Sequence, residues 1–161
     1  YPATFIVEPY CLKMFKQRWY VLAFSPDLDR LLTYSLDRVH AIEPTAQKYK
    51  IPADFDAERY FKDTYGITGI GEEPEEIRIS IDAMQANYLR SLPLHSSQEE
   101  IERYEGYSVF RYFMVPSYEF VQELKKYGSE VEVLTPESLR AQFAEDAKYM
   151  FDTYNGKETQ V

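Results

Sequence analysis

The stretch "RWYVLAFSPDLDRLLTYSLDRVHAIEP", Arg18 to Pro44, contains the pattern that decides the fold of the first half of this chain. It reads as two apolar strands, "RWYVLAF" and "RLLTYSL", joined by the polar turn "SPDLD". Alternation along the first strand places Trp19 and Val21 on one face. Tyr20 and Leu22 then point the other way, so we expect one aromatic side chain in the core and the other partly at the surface.

The second strand ends in an irregularity. Leu32, Tyr34 and Leu36 share one face by a period of two, but Val39 has the wrong parity to follow them. The backbone must therefore bulge or turn at Asp37-Arg38, and such a bend directs a side chain outward. Asp37 can hold the bend by bonding local amides, and Arg38 then projects a permanent charge. The alternative is an Arg38 that only pairs with Asp37 or bonds carbonyls.

The flanking sequence completes a small β-rich unit. "TFIVEPYCLKMF" is rich in β-branched and aromatic residues and predicts a strand, with Pro9 indicating an edge or a bulge. Short polar connections then make the three strands an antiparallel meander, to which "HAIEPTAQKY" could add a fourth short strand. "PADFDAERYFKDTYG" predicts a helix capped by Asp54 or Asp56 and ended by Gly66.

A second unit follows the segment "GITGIGEEPEE", Gly66 to Glu76, whose glycines and glutamates are typical of a linker. "EIRISID" alternates as a half-buried strand, "AMQANYLRSL" predicts a helix, and "EEIERYEGYSVFRYFMV" predicts a hairpin turning at Glu105-Gly106. "SYEFVQELKKYG" predicts a helix capped by Ser117, "EVEVL" a strand, and "TPESLRAQFAEDAKYMFDTY" a helix capped by Thr135. This β-α-β-β-α-β-α order is a split βαβ sandwich with an extra C-terminal helix.

In that final helix, the 3.6-residue period predicts one inward face. The residues on this face are Leu139, Phe143, Ala147 and Met150.

Composition narrows the functional classes. Residues 1–70 carry nine Lys/Arg and nine Asp/Glu, whereas residues 71–161 carry nine Lys/Arg and eighteen Asp/Glu, so the whole net charge of −9 belongs to the second half. An acidic protein is a poor general binder of nucleic acid, but the neutral first half leaves a local site open. No apolar run is long enough to span a membrane. The single cysteine, Cys11, precludes an internal disulfide and fits a reducing cytoplasm.

Catalytic and metal-binding motifs are not found in the sequence. His40 and His95 fall in different predicted units, and Cys11 has no neighbouring histidine. Metalloprotease, P-loop, nucleophile-elbow and cysteine-rich zinc patterns do not occur. "GITGIG" follows a helix rather than a strand, which argues against a dinucleotide loop. We therefore expect no enzyme activity, no catalytic residues, no metal and no cofactor.

Basic and aromatic residues coincide on the first strands. Lys13, Lys16 and Arg18 cluster around a predicted turn, next to Trp19 and Tyr20. Cations beside aromatic faces on adjacent strands are the composition of a single-strand nucleic-acid platform, which combines stacking with phosphate neutralisation. The alternatives are that the cations form a solvated turn and that both aromatic side chains only pack.

These residues resemble a known family. "VEPYCLKMFKQRWYVLAFSPDLDRLLTYSLDRV" looks like the WYL domain of bacterial transcriptional regulators, with Trp19-Tyr20-Val21 in place of the name-giving Trp-Tyr-Leu. Its closing Phe/Tyr-x-Leu-Asp-Arg-Ile corresponds to Tyr34 through Val39. "IRISIDAMQANYLRSLPLHSSQ" together with "YSVFRYFMVPSYEFVQELKKYGSEVEVLTPESLR" resembles the WCX extension that commonly follows it. The resemblance covers roughly residues 5–145.

The resemblance implies an α+β protein with two domains. Residues 1–66 would be a WYL domain, a small Sm-like or SH3-type β-barrel. Residues 76–153 would be a ferredoxin-like WCX domain, βαββαβ with an extra C-terminal helix. Such regulators carry an N-terminal winged helix-turn-helix, which this sequence does not contain. An opening helix and strand also usually precede "TFIVEPY", so we expect the WYL domain to be N-terminally truncated and its barrel incomplete.

The resemblance also implies a function. Several WYL domains sense nucleic acid, notably single-stranded DNA, so the chain would be the effector-sensing and dimerisation region of a cytoplasmic regulator. Its expected partners are a nucleic-acid or nucleotide-like effector and a second copy of itself, without a membrane. The expected ligand-binding residues are Lys13, Arg18, Trp19, Tyr20, Tyr34 and Arg38.

One departure favours a different function. The family often has an arginine two positions before its Phe/Tyr, where this chain has Leu32. The alternative is therefore a structural module that makes protein contacts and binds no small ligand.

Overall fold

The structure, a computed structural model, describes residues 4–156, and the chain divides into two units between Lys62 and Asp63. The first unit is a three-stranded antiparallel sheet in the order β1-β2-β3, formed by Glu8–Phe15, Arg18–Ser25 and Arg30–Ser35. The register of β1 shifts between Pro9 and Cys11, so the predicted meander and its bulge are confirmed.

The turn between β1 and β2 consists of two residues. Phe15 pairs with Arg18, and the intervening Lys16 and Gln17 both have positive φ, of 46° and 63°. This is the type I′ geometry whose twist matches that of the flanking strands. The tight turn fixes the register, and the register decides which side chains share a face.

A short 3-10 helix, Leu36–Arg38, follows β3. The Val39 amide donates to the Leu36 carbonyl over 3.2 Å, which closes the turn. The break in alternation before Val39 predicted a bend at this point, and that prediction is confirmed. Residues 39–52 contain no helix or strand, so the optional fourth strand in "HAIEPTAQKY" is absent.

Aromatic side chains cover one side of this sheet. Helix α1, Ala57–Phe61, begins at Asp56, whose carboxylate accepts from the Arg59 amide, as one of the two predicted caps. Phe55 contacts the ring of Tyr10 edge-on, with centroids 5.0 Å apart.

The strands β1 and β3 do not pair with each other, so within the described residues the sheet stays open and no closed barrel forms.

The second unit is a four-stranded antiparallel sheet in the order β5-β6-β4-β7, with helices on one face. Its elements in chain order are β4 (Glu75–Asp82), α2 (Ala83–Ser91), β5 (Glu99–Arg103), β6 (Tyr107–Met114), α3 (Tyr118–Lys125), β7 (Val131–Thr135) and α4 (Glu137–Tyr154). The predicted β-α-β-β-α-β-α order is confirmed. The protein is therefore a mixed α/β chain with two antiparallel sheets and four helices in the described residues.

The core of the second unit lies between this sheet and the helices. Ile77, Ile79 and Ile81 are fully buried, as their alternation with polar residues predicted. Phe120 and Leu124 pack onto them from α3, where the Ser117 hydroxyl caps the helix by accepting from the Phe120 amide. On the opposite face of the sheet, no helix of the described residues contributes to this core.

Helix α4 differs from its prediction at both ends. Thr135 does not cap the helix, because its hydroxyl accepts from the Arg78 amide and the cap position falls on Pro136. Leu139 is buried and Phe143 packs beside it, as predicted. The rest of the predicted inward face, Ala147 and Met150, is exposed because nothing in the described part of the chain covers the last two turns.

The segment that resembles a linker is packed against the second unit. The Val115 amide donates to the Asp63 carbonyl over 2.8 Å, and the Ser117 hydroxyl donates to the Tyr65 carbonyl over 2.7 Å. The Thr68 hydroxyl donates to the Glu119 carboxylate over 2.5 Å. The glycine-rich composition therefore reflects close packing and left-handed turns within the second unit.

Candidate functional site

The bend after β3 is held by side chains. Asp37 accepts a hydrogen bond from the Ser35 hydroxyl, and its Oδ2 lies 3.0 Å from Nη1 of Arg18 on β2. The hydrogen bond from Ser35 lowers the pKa of Asp37, and Arg18, the backbone amide of Asp37 itself and the charge of Arg38 lower it further. A carboxylate with these partners stays ionised, so the bend has a fixed conformation and a fixed negative charge.

Arg38 is the free cation of this bend. Its side chain is exposed, and it makes no ion pair or hydrogen bond with the residues that the structure describes. Asp37 instead pairs with Arg18, which leaves the guanidinium of Arg38 available to an outside group. The charge of Arg38 also lowers the pKa of Asp37, so the two residues interact electrostatically without a direct hydrogen bond.

The register separates the other predicted site residues onto two faces. Lys13 lies directly opposite Tyr20 on the neighbouring strand, so these two share a face. Arg18 has the same parity as Tyr20 and lies on that face too. The ammonium of Lys13 lies 3.9 Å from the centre of the Phe61 ring of α1, so this part of the face is covered.

The other face carries Trp19 and Tyr34. Trp19 lies opposite Met14, and Tyr34 lies opposite Val21, which has the parity of Trp19. The Tyr34 ring stacks on Phe5 with centroids 5.5 Å apart. The two rings point to opposite faces as expected, but neither lies in the core, because Tyr20 is half-buried and Trp19 is half exposed.

This second face is an apolar surface that the sequence analysis did not identify. Leu12 is 61% exposed, Met14 62% and Trp19 51%. Isolated exposed apolar residues are ordinary, but three neighbours on paired strands form a patch. The signal was available, since Leu12 and Met14 alternate with Lys13 in "CLKMF". The sequence does not show which of the two alternating sets of side chains faces solvent. Helix α1, which follows much later in the chain, covers one of them.

Five of the six predicted residues therefore fall into two groups, one on each face of the sheet, and the sixth lies apart from both. Lys13, Arg18 and Tyr20 share the face that α1 partly covers, and Trp19 and Tyr34 share the apolar face. Arg38 lies on the bend beyond β3 and belongs to neither face. Exposed guanidinium groups can neutralise phosphate, and an exposed indole can stack on a base.

The described residues offer little to catalysis or to metals. His40 is exposed in the first unit, and His95 hydrogen-bonds Ser97 in the second. Within residues 4–156 no three metal-binding side chains lie close enough together to hold an ion. In the same range, no helix combines the length and apolarity needed to cross a membrane.

Comparisons with known proteins also divide the sequence into two parts. Residues 1–44 match the WYL domain family, and residues 73–151 match the WCX domain family. No curated protein matches the sequence. Among solved structures, proteasome accessory factor B/C (PafBC) of Arthrobacter aurescens is similar at 21% identity with a TM-score of 0.35. The match covers 84% of this chain and 20% of that one, so this chain spans about a fifth of that protein's length.

Proposed function

The chain combines a WYL domain with a WCX domain, and we propose on this basis that it is the effector-sensing and dimerisation region of a bacterial transcriptional regulator. The proposed effector is a nucleic-acid or nucleotide-like ligand, with single-stranded DNA favoured, and it binds the WYL domain. The proposed role is not enzymatic, and the proposed location is the cytoplasm, where a regulator meets DNA.

We propose a specific fold for each of the two units. The β-α-β-β-α-β order with sheet order β5-β6-β4-β7 supports a ferredoxin-like WCX domain. The open sheet β1-β2-β3 followed by a 3-10 turn supports an incomplete Sm-like barrel for the WYL domain. The proposed domain bounds remain residues 1–66 and 76–153.

The observation that carries the proposed ligand is the bend Leu36–Arg38. Arg18 and Ser35 hold Asp37, and Arg38 is exposed without a partner among the described residues. A guanidinium kept charged and unpaired at a fixed turn suits a phosphate, which it can bind in a bidentate manner. Trp19 is adjacent to Arg18 in the chain and offers an exposed ring for a base.

Trp19 is the only tryptophan of the chain, so its fluorescence reports on binding to the first unit. Titration with a short oligothymidylate at low salt should quench its fluorescence, with affinity that falls as salt rises. Arg38→Ala should weaken binding and lower the salt slope by about one. Arg30→Ala is the matched control, because Arg30 is an exposed arginine at the opposite end of β3.

Two results would refute the proposed ligand. One is an affinity that Arg38→Ala leaves unchanged while circular dichroism shows an intact fold. The other is equal weakening by Arg38→Ala and Arg30→Ala, which would indicate general charge attraction rather than a site.

A second candidate function rests on the apolar face of Leu12, Met14 and Trp19. A structural module that only contacts protein would use such a patch, and Leu32 in place of the family's frequent arginine favours it. This candidate predicts no quenching by oligothymidylate at any salt concentration. It also predicts that Met14→Glu abolishes partner capture while Arg38→Ala does not.

Dimerisation is the part of the proposal that concerns the whole regulator. Proteins that read two DNA half-sites are usually two-fold dimers. We place the contact on the second unit, which carries exposed aromatic residues on the β5–β6 hairpin such as Tyr104 and Phe113. Sedimentation at tens of micromolar, the order for a modest interface, should give a dimer, and a strict monomer would contradict it.

A further inference from the structure

The face of the four-stranded sheet that carries no helix contains a cavity of about 690 Å³. Its floor includes Ser80 on β4, Val109 on β6 and Leu134 on β7, and Val109 is only 6% exposed. A volume of this size is within the range of small-molecule sites. The cavity lies wholly within the second unit and shares no residue with the proposed effector site.

The charge of the lining is strongly negative. Four carboxylates and one guanidinium line the cavity, namely Asp82, Glu102, Glu130, Glu132 and Arg78. The guanidinium of Arg78 is paired with Glu76 over 2.8 Å, which compensates its charge, and its buried Nε has no hydrogen-bond partner among the described residues. The lining therefore favours a cation.

Of these carboxylates, Glu132 is already paired with Arg140 over 2.8 Å, whereas the other three have neutral hydrogen-bond partners. Asp82 accepts from the Met84 amide over 2.8 Å, and Glu130 accepts from the Gln85 amide group over 2.9 Å. Glu102 accepts from the Tyr104 hydroxyl. Neutral donors satisfy the oxygen atoms but do not cancel the charge, so the negative charge remains for a ligand to compensate.

The carboxylates are spread rather than convergent. Glu102 lies on β5 and Glu132 on β7, which are the two outer strands, and three strand spacings separate them by about 14 Å. In agreement, no group of three metal-binding side chains within residues 4–156 could hold one ion. A single metal ion cannot bridge such a span, but an elongated cation can.

An aromatic pair completes one rim. Tyr107 lines the cavity and stacks on Tyr104 with centroids 4.6 Å apart. Both rings are partly exposed and offer a face to an ammonium group. We propose that this cavity binds a linear organic polyammonium ion, whose methylene chain lies over Val109 and Leu134 while its ammonium groups reach the acidic rims.

Calorimetric titration of the whole chain with spermidine tests the proposal. We expect saturable binding that weakens with salt, and a loss of about tenfold in the double variant Glu102→Gln, Glu130→Gln. The double variant Glu137→Gln, Glu145→Gln is the matched control, because it removes the same charge from exposed positions of α4 outside the cavity. The control should bind spermidine as the unmodified chain does.

A steric variant tests the cavity independently of charge. Ser80→Phe adds a ring to the floor and should abolish binding, and circular dichroism with thermal unfolding shows whether the second unit still folds. If Ser80→Phe does not fold, Val109→Leu, which narrows the floor by one methylene, should weaken binding instead.

Three results would overturn the proposal. The first is equal weakening by the control double variant, which would mean attraction to the acidic half in general. The second is displacement of spermidine by an equal charge concentration of Mg²⁺. The third is tighter, competing binding of an oligolysine peptide, which would assign the cavity to a basic protein partner.

Discussion

Asp37 shows how single residues set the geometry of the bend after β3. Its carboxylate is held by a hydroxyl two residues away and by a guanidinium nineteen residues away. The hydroxyl contact is local, whereas the Arg18 contact joins two exposed side chains and is open to screening by salt. The two partners should therefore respond differently to substitution.

We predict that Ser35→Ala raises the pKa of Asp37 more than Arg18→Ala does. The folded pKa is depressed, so the contribution of Asp37 to stability is present above the unfolded value of 3.8 and is lost as the pH falls through the folded value. Carbon-detected NMR titration of the Asp37 carboxyl group measures both shifts. High salt should reduce the difference in the pKa of Asp37 between Arg18→Ala and the unmodified chain. It should leave the corresponding difference for Ser35→Ala unchanged. The reverse result would contradict the assigned causes.

Glu100 is the corresponding residue of the second unit. Arg90 on α2 donates to both of its oxygens, over 2.9 and 2.5 Å, and with Ser108 this lowers the pKa of Glu100 to about 2. Stability from this pair is present above pH 4.5 and is lost as the pH falls toward 2.

We predict that Glu100→Gln lowers the unfolding free energy at pH 7 by roughly 1–2 kcal/mol, after allowance for solvent screening of a partly exposed pair. The same variant should flatten the loss of stability between pH 4.5 and 2. Urea unfolding across that range measures both effects. Glu99→Gln is the control, because Glu99 pairs with Arg111 at a more exposed position. An equal effect from Glu99→Gln would show that the buried geometry is not the cause.

At the scale of elements, the segment between α1 and β4 owes its path to glycine. Gly69 and Gly71 both have positive φ, of 73° and 88°, which L-residues rarely adopt. A Cβ at Gly69 would lie 2.9 Å from the buried Val115 side chain, whereas a Cβ at Gly71 would meet nothing within 4 Å. Substituting each glycine in turn therefore distinguishes the cost of backbone strain from the cost of close packing.

We predict that Gly71→Ala costs about 1 kcal/mol from backbone strain, and that Gly69→Ala costs about 1–3 kcal/mol more because it overpacks the contact with Val115. Thermal unfolding of the two variants measures the difference. Equal destabilisation would mean that the segment can move away from Val115 and is not firmly packed on the second unit.

At the scale of the whole molecule, the two units differ in how much they bury. Among residues 4–156, the buried apolar residues of the first unit are Leu22, Ala23 and Phe61, whereas the second unit has a continuous core of fifteen residues. Burial of apolar surface is the main favourable term in folding. The first unit should therefore open more readily than the second.

We predict that hydrogen exchange in the whole chain is at least about tenfold slower in β4 and β6 than in β1 and β2. Leu22→Ala should speed exchange across the first sheet and leave that of β4 and β6 unchanged. Mass spectrometry of peptides from each unit measures both. Comparable protection in the two sheets would show that the small core of the first unit is not what limits its stability.

Local periodicity allowed much of the fold to be predicted from the sequence. The alternation of Ile77, Ile79 and Ile81 predicted a strand, and the parity of Val39 predicted the bend. Ser117 predicted one helix start, and Asp54 or Asp56 predicted another. Each signal depends on residues a few positions apart, where backbone geometry alone dictates which side chains share a face. The same reasoning left two alternatives for Arg38, an outward side chain or one that only pairs with Asp37 or bonds carbonyls.

The sequence by itself thus determined the strands, the helices, their order and the bend that presents Arg38. Only the tertiary structure decided which face of the first sheet α1 covers, that Arg18 pairs with Asp37, and that the glycine-rich segment packs on Val115 and Glu119. It also decided that β5 and β7 form the outer strands, which separates the carboxylates of the cavity. These features join residues distant in the chain, and such pairings are set by the free energy of packing the whole molecule rather than by any local pattern.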